Sequence, residues 1–199
     1  MELTSITPTP QMLRALAHPT RLKMLGMLRI DGPATATTLA TRLGINTGQT
    51  SYHLRQLAQH GFVVDDEERG NGRDRWWKAA HQSTITGETP TRPEDQEAVD
   101  AYMQTVAVIY TQQLQAAVEE MPLLPLAWRE ASTLSDYHVR VTAEHAQDLT
   151  STLHDLFMEL REDADDDPDA VDFVFQFQAF PRPGHVDAPV EGDVEAGER

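Results

Sequence analysis

NTGQTSYHLRQLAQHG, residues 46–61, has the punctuation of a helix but an unusually polar surface. Asn46 suits an N-cap, Gln49 three residues later makes a capping-box variant, and Gly61 suits the stop. Leu54 and Leu57 are its large aliphatic residues, and with Thr50 they make a narrow inner stripe. Thr47, Gln49, Ser51, Tyr52 and Arg55 share the outer side, with one fixed charge at Arg55. Such a surface suits a partner read by polar edges rather than by bulk charge. Gln and Arg each offer two hydrogen bonds to base edges, and Ser, Thr and Tyr reach bases or phosphates. Gly48 near the helix start lets backbone approach a phosphate. His53 borders the inner stripe and reads equally as a packed side chain or a contact.

The segments on either side place this helix. TATTLATRLG, residues 35–44, predicts a short helix with Thr35 as N-cap, Leu39 and Leu43 inward, and Gly44 as the stop. Ile45 alone separates Gly44 from Asn46, so two helices follow one another across a tight turn. That is the helix-turn-helix arrangement, in which the second helix enters the major groove. Upstream, Met12, Leu13 and Leu16 fit one short helix, and His18-Pro19 begins another. Leu22, Met24, Leu25 and Leu28 form the apolar side of that second helix, with Arg21, Lys23 and Arg29 off it as attraction for phosphate. Downstream, FVV (62–64) and RWWKA (75–79) predict the two strands of a hairpin with Gly70-Asn71-Gly72 at its tip. A hairpin placed there is a wing. Its cations are Arg69, Arg73, Arg75 and Lys78; Arg73 and Arg75 suit phosphate or minor-groove contacts, and the competing reading pairs those two with Asp65–Glu68 across the hairpin. Trp76 and Trp77 alternate, so at least one belongs to the core.

Charge divides along the chain. Residues 1–82 hold 10 Lys and Arg against 7 Asp and Glu, a balance of +3. Residues 83–199 hold 6 against 25, a balance of −19. A polyanion responds to the field within about 8–10 Å, so the total of −16 does not exclude double-stranded DNA as partner. The acidic half opposes non-specific adhesion. The chain has no cysteine, which excludes disulfides and thiolate chemistry. Residues 1–12 lack the basic start and apolar core of a signal peptide, and no run is long and apolar enough for a bilayer. A cytoplasmic protein without membrane contact is expected.

After a linker, residues 94–121 predict a long helix. Val99, Met103, Val106, Tyr110 and Leu114 form a near-heptad seam, widened by Tyr102 and Ile109, that calls for a partner helix in a homodimer. YHVRV (137–141) and AVDFVFQFQAF (170–180) alternate like strands. Between them Thr142 caps a helix to about residue 161, with Ala146, Leu149, Leu153, Leu156 and Leu160 inward. Two strands make a poor sheet alone, so pairing across a dimer, or with a wing-like extra strand, would complete it. Phe173, Phe175 and Phe177 read as ordinary core or as an effector surface. The expected fold is α+β: a winged helix-turn-helix domain (1–82), a linker (83–93), a dimerisation and possible sensing region (94–180) with a long helix and a strand–helix–strand, and a disordered tail (181–199).

No constellation for catalysis stands out: no Ser-His-Asp order, no phosphate-cradling glycine loop and no isolated carboxylate pair. No enzyme and no cofactor are expected. Asp136, His138, His145 and His154 lack the i, i+4 spacing that sets two ligands on one helix turn, so no metal site is expected.

ALAHPTRLKML (15–25), TTLATRLGI (37–45), SYHLRQL (51–57), GFV (61–63) and the Arg-rich wing running into RWWKA together resemble the winged helix-turn-helix of ArsR-like bacterial transcriptional regulators. The resemblance covers about a third of the chain. It implies a homodimeric repressor on an operator with two half-sites. Its base-reading positions fall on Gln49, Ser51, Tyr52 and Arg55, and its wing contacts on Arg73 and Arg75. Founding members sense metals through cysteines in the helix before the turn, where this chain has ATATTLA. The resemblance thus covers the DNA-binding half and leaves the sensing half open; with that departure the expected signal is not a metal but a small molecule, a protein or temperature, its effector unnamed. The alternative is an adaptor that docks proteins through the winged helix and the acidic half.

Overall fold

The computed structural model describes residues 4–69, 74–85, 90–160 and 167–186. These divide into two units: the described residues up to His138, and Val139–Leu160 with residues 167–186.

The first unit is built around the stripe of the opening helix. β1 (Ser5–Ile6) leads to α1 (Pro10–Leu16) and α2 (Pro19–Ile30). Each helix starts on a proline, whose fixed φ suits the first turn. Thr9 caps α1 and His18 caps α2, the latter through its ring nitrogen. β2 (Ala34–Thr35) precedes α3 (Ala36–Leu43), and Thr35 caps α3 by accepting the Thr38 N–H at 3.1 Å. Gly44 ends α3 at φ 65°, a left-handed conformation that favours glycine. α4 (Thr47–Gln59) follows, and Asn46 Oδ1 accepts the Gln49 N–H at 2.8 Å. Thr50, Leu54 and Leu57 are fully buried, and the Thr50 hydroxyl donates to the Asn46 carbonyl at 3.2 Å. Leu54 and Leu57 pack with Leu16, Met24, Leu25, Leu39 and Phe62 into one core.

β3 (Val63–Asp65) and β4 (Trp76–Ala79) form the wing, with Asp65 opposite Trp77. The predicted tip, Gly70 to Gly72, lies outside the described residues, as does Arg73. β2 adds a third strand on the far side of β4, giving the order β2-β4-β3. Two residues are too short for alternation to reveal, which is why this strand was invisible in the sequence. β5 (Ser83–Thr84) pairs in parallel with β1. The start of the chain and the start of the 83–93 linker therefore hold one another where they are described.

α5 (Pro93–Glu120) is the expected long helix, followed by one 3-10 turn at Met121–Leu123 and a short α6 (Leu126–Ala131). Its buried side is Asp95, Ala98, Tyr102 and Ile109, against the core formed with α1 and α2. The residues expected to widen the seam are thus the ones that anchor the helix. Val99 and Val106 are partly buried against the same core, while Met103, Tyr110 and Leu114 are exposed at 50%, 38% and 42%.

In the second unit α7 (Ala143–Met158) is capped by Thr142 and shorter than expected. The flanking segments 137–141 and 171–180 form no ladder among the described residues, so the strand–helix–strand reduces to its helix. The reason is the absence of an edge to pair with: alternation gives a segment a face, but a strand also needs a neighbour's backbone. Phe157, Phe173 and Phe175 touch ring to ring, and Phe173, Phe175 and Phe177 are 42–60% exposed in the single chain.

Candidate nucleic-acid interface

The capping of α4 sets which side chains point outward. Thr47, Gln49, Tyr52 and Arg55 are exposed and Ser51 is half-buried. Arg55 Nε donates to the Ser51 carbonyl at 3.0 Å, which holds the guanidinium against its own helix. Gly48 has a structural reason in addition to backbone approach. A Cβ there would lie 3.2 Å from Asn46 Oδ1, the capping atom.

A cleft of about 380 Å³ separates α4 from the wing. Ser51 and Arg55 line one side, Asp74, Arg75 and Trp77 the other, and Thr35 to Thr37 the floor. From the sequence Thr35 was read only as a cap and Thr37 was not singled out, although both line the cleft. The cleft joins the predicted base-reading face and one predicted wing contact in one continuous surface.

The described wing cations, Arg69, Arg75 and Lys78, are already paired. Arg75 Nε lies 2.6 Å from Asp65 Oδ2, and its guanidinium carbon sits 4.1 Å from the Trp77 ring centroid. Lys78 Nζ lies 3.2 Å and Arg69 Nε 3.7 Å from the carboxylate of Asp66, which is 4% exposed. Alternation along β3 and β4 puts these two sets on opposite faces of the wing. Asp65, Arg75 and the buried Trp77 share the face toward the cleft, and Asp66 and Lys78 the other. The Asp66 N–H also donates to the Trp76 carbonyl at 2.9 Å, so Asp66 fastens the wing. Cross-hairpin pairing thus describes Arg75 and Lys78 as they stand here, whereas Arg69 pairs with Asp66 three residues before it on the same arm of the wing.

Two of the three α2 cations are also engaged. Arg29 donates from Nε to the His81 carbonyl and from an Nη to Thr84 Oγ1, both at 2.8 Å. Burial lowers its pKa, with Tyr102 and Tyr110 opposing. It ties α2 to the chain leaving the wing rather than offering charge to phosphate. Arg21 donates to the Ala15 carbonyl. His53 turns inward, its ring 4.6 Å from that of His18. Elsewhere in this unit His138 pairs with Asp136 at 2.7 Å, both exposed. Among the described residues no group of three or more His, Asp or Glu is placed to hold a metal ion, and no helix is long and apolar enough to cross a membrane.

Residues 16–65 match a family described as "Helix-turn-helix domain". A stretch of 54 residues is 44% identical to the HTH-type transcriptional regulator NmtR of Mycobacterium tuberculosis. The N-terminal domain is of the ArsR type. The match with NmtR spans 27% of this chain and 44% of that protein. A mutant of Lactococcus lactis ZitR in apo form aligns over 71% of this chain and 83% of that one, at 15% identity and a TM-score of 0.33. The ArsR-type domain therefore contains α2, α3, α4 and the first wing strand, and the rest of the wing and α5 lie beyond the matched residues.

Proposed function

We propose that this protein is a sequence-specific DNA-binding transcriptional regulator, a homodimer that represses from an operator with two half-sites. The observation that carries the reading is the outer face of α4, where Gln49, Tyr52 and Arg55 stand exposed beside a cleft whose other wall is Arg75. Gln49 and Arg55 would read base edges, each good bidentate pair supplying about 1–3 kcal/mol of discrimination. Thr47, Ser51 and Tyr52 would position the helix on phosphates. NmtR, by name a transcriptional regulator, supports the regulatory part. The exposed Met103, Tyr110 and Leu114 of α5 support a second copy as partner. In the dimer the two α4 helices would stand about 34 Å apart, one turn of DNA. A signal that changes this separation would change affinity for the operator. We propose a signal other than a metal, a reading supported by the lack of any cysteine to supply thiolate ligands.

The test is selection from a random duplex pool by the full chain, followed by gel shifts across salt. Enrichment of a two-half-site sequence is expected, with log affinity falling by about 0.9 per neutralised phosphate as log salt rises. No salt-sensitive shift on any enriched duplex would overturn the reading and favour an adaptor.

A further inference from the structure

We infer that Asp65 is a specificity-determining residue that keeps the wing arginine Arg75 neutralised until a duplex is seated correctly in the cleft. The inference rests on the DNA-binding reading above.

Three observations carry it. First, the wing is fastened elsewhere. Asp66 sits nearly buried on the opposite face with Lys78 and Arg69 at its carboxylate, and the strand pairing Val63↔Ala79, Val64↔Lys78 and Asp65↔Trp77 supplies the ladder. Asp65 is not needed for that. Second, Arg75 is held in place without Asp65. Its guanidinium lies over the ring of Trp77, itself 4% exposed and fixed in the core. What Asp65 adds, 2.6 Å from Nε, is a compensating charge. Third, the pair is open to solvent on the cleft side, with side-chain exposures of 58% for Arg75 and 36% for Asp65. Arg75 lines the same cleft as Ser51 and Arg55. Asp74 lies at the same rim and adds a second carboxylate to this corner.

A guanidinium exchanges a carboxylate for a phosphate with the same fork geometry. Non-specific attraction to DNA comes from cations that displace condensed counterions. An arginine already matched by Asp65 adds little to that attraction on a duplex that merely passes. It contributes where α4 sits in its groove and holds a phosphate in Asp65's place. The acid thus lowers affinity for the wrong DNA more than for the right DNA, which is discrimination by a repulsive element.

The experiment uses the full chain with two probes: a short random-sequence duplex, and the duplex enriched by the wild-type protein. Asp65→Asn should raise affinity for the random duplex about threefold or more at low salt and steepen its salt slope by about 0.9, the signature of one more counterion released. Affinity for the enriched duplex should change less, so the ratio between the two narrows. Asp65→Asn combined with Arg75→Ala should bind the random duplex no better than Arg75→Ala. Asp65→Ser, with thermal unfolding of each variant, guards against loss of fold. If the random-duplex affinity and slope stay as in wild type, or both probes weaken in parallel, the inference is overturned while the DNA-binding reading stands. If the wild-type chain enriches no duplex and shows no salt-sensitive binding, that reading falls first and the inference with it.

Discussion

The imidazole rings of His18 and His53 lie 4.6 Å apart and tie the first turn of α2 to the inner edge of α4. His18 Nδ1 accepts the Thr20 N–H at 3.2 Å, which requires that nitrogen to be unprotonated. His53 Nδ1 is buried without a hydrogen-bond partner among the described residues, and Tyr52 meets the ring edge-on at 5.4 Å. Burial lowers both pKa values, with Arg21 adding to the effect on His18, and His18 and Arg21 adding to that on His53. A histidine whose pKa is depressed on folding binds its proton more tightly in the unfolded chain. Its stabilising share is therefore full above the ordinary value of 6.5 and declines as pH falls through the window down to the lowered folded value. Thermal unfolding from pH 8 to about pH 5 should show a midpoint that is level above 6.5 and drops below it, before most carboxylates titrate. His53→Phe should flatten that drop, since it removes one titrating ring and relieves the other of a neighbour. An unchanged slope in the variant would assign the drop to other groups.

The cap of α4 offers a second test. Asn46 Oδ1 satisfies the Gln49 N–H, and Gly48 leaves it room. Asn46→Ala should cost about 1 kcal/mol of stability, the usual cost of a lost N-cap, measured by urea unfolding. Asn46→Ser keeps an acceptor and should recover most of it. Equal losses in both variants would mean that the side chain does something other than cap.

Neighbouring residues on α4 should separate folding from recognition. Leu54 is fully buried and Arg55 exposed. Leu54→Ala should destabilise by about 2–5 kcal/mol through lost burial and a residual cavity. Arg55→Ala should leave the unfolding midpoint nearly unchanged and relax discrimination among enriched duplexes by about 1–3 kcal/mol at the base pair it reads. Measuring both quantities on both variants is decisive. An Arg55→Ala protein that unfolds early but binds with unchanged preference would place Arg55 in the scaffold.

How far the sequence led depended on the length of each signal. Helices were legible because caps, stops and three- or four-residue spacing agree: Thr35, Gly44, Asn46 and the Thr50–Leu54–Leu57 stripe all stand where their chemistry predicts. Strands of two residues carry no periodicity, so β1, β2 and β5 went unread. The cations were harder. Arg29 and Arg75 look alike in a sequence, yet one is an internal tie and the other half of an open pair: the acids facing Arg75 across the hairpin were legible, whereas only folding brings His81 to Arg29. The C-terminal segments misled for a further reason. Alternating Val and Phe specify a face and leave the pairing edge unspecified.

α5 shows the same ambiguity in a form that experiment resolves. Its seam reads as one apolar stripe, but folding divides it: Tyr102 and Ile109 are buried at 7% and 6% exposure, and Met103 and Leu114 face outward. Apolar side chains left out in a row on a long helix are suited to a second helix. Met103→Asp with Leu114→Asp should therefore leave the single chain folded and give a monomer by sedimentation equilibrium, where wild type gives a dimer. Operator affinity should drop steeply, since one recognition helix then binds without the other. Tyr102→Ala, by contrast, should cost about 3 kcal/mol of stability by opening the core beneath α5. A wild-type chain that sediments as a monomer at micromolar concentration would remove the homodimer from the proposed function. A double variant that remains dimeric would move the interface away from this face of α5.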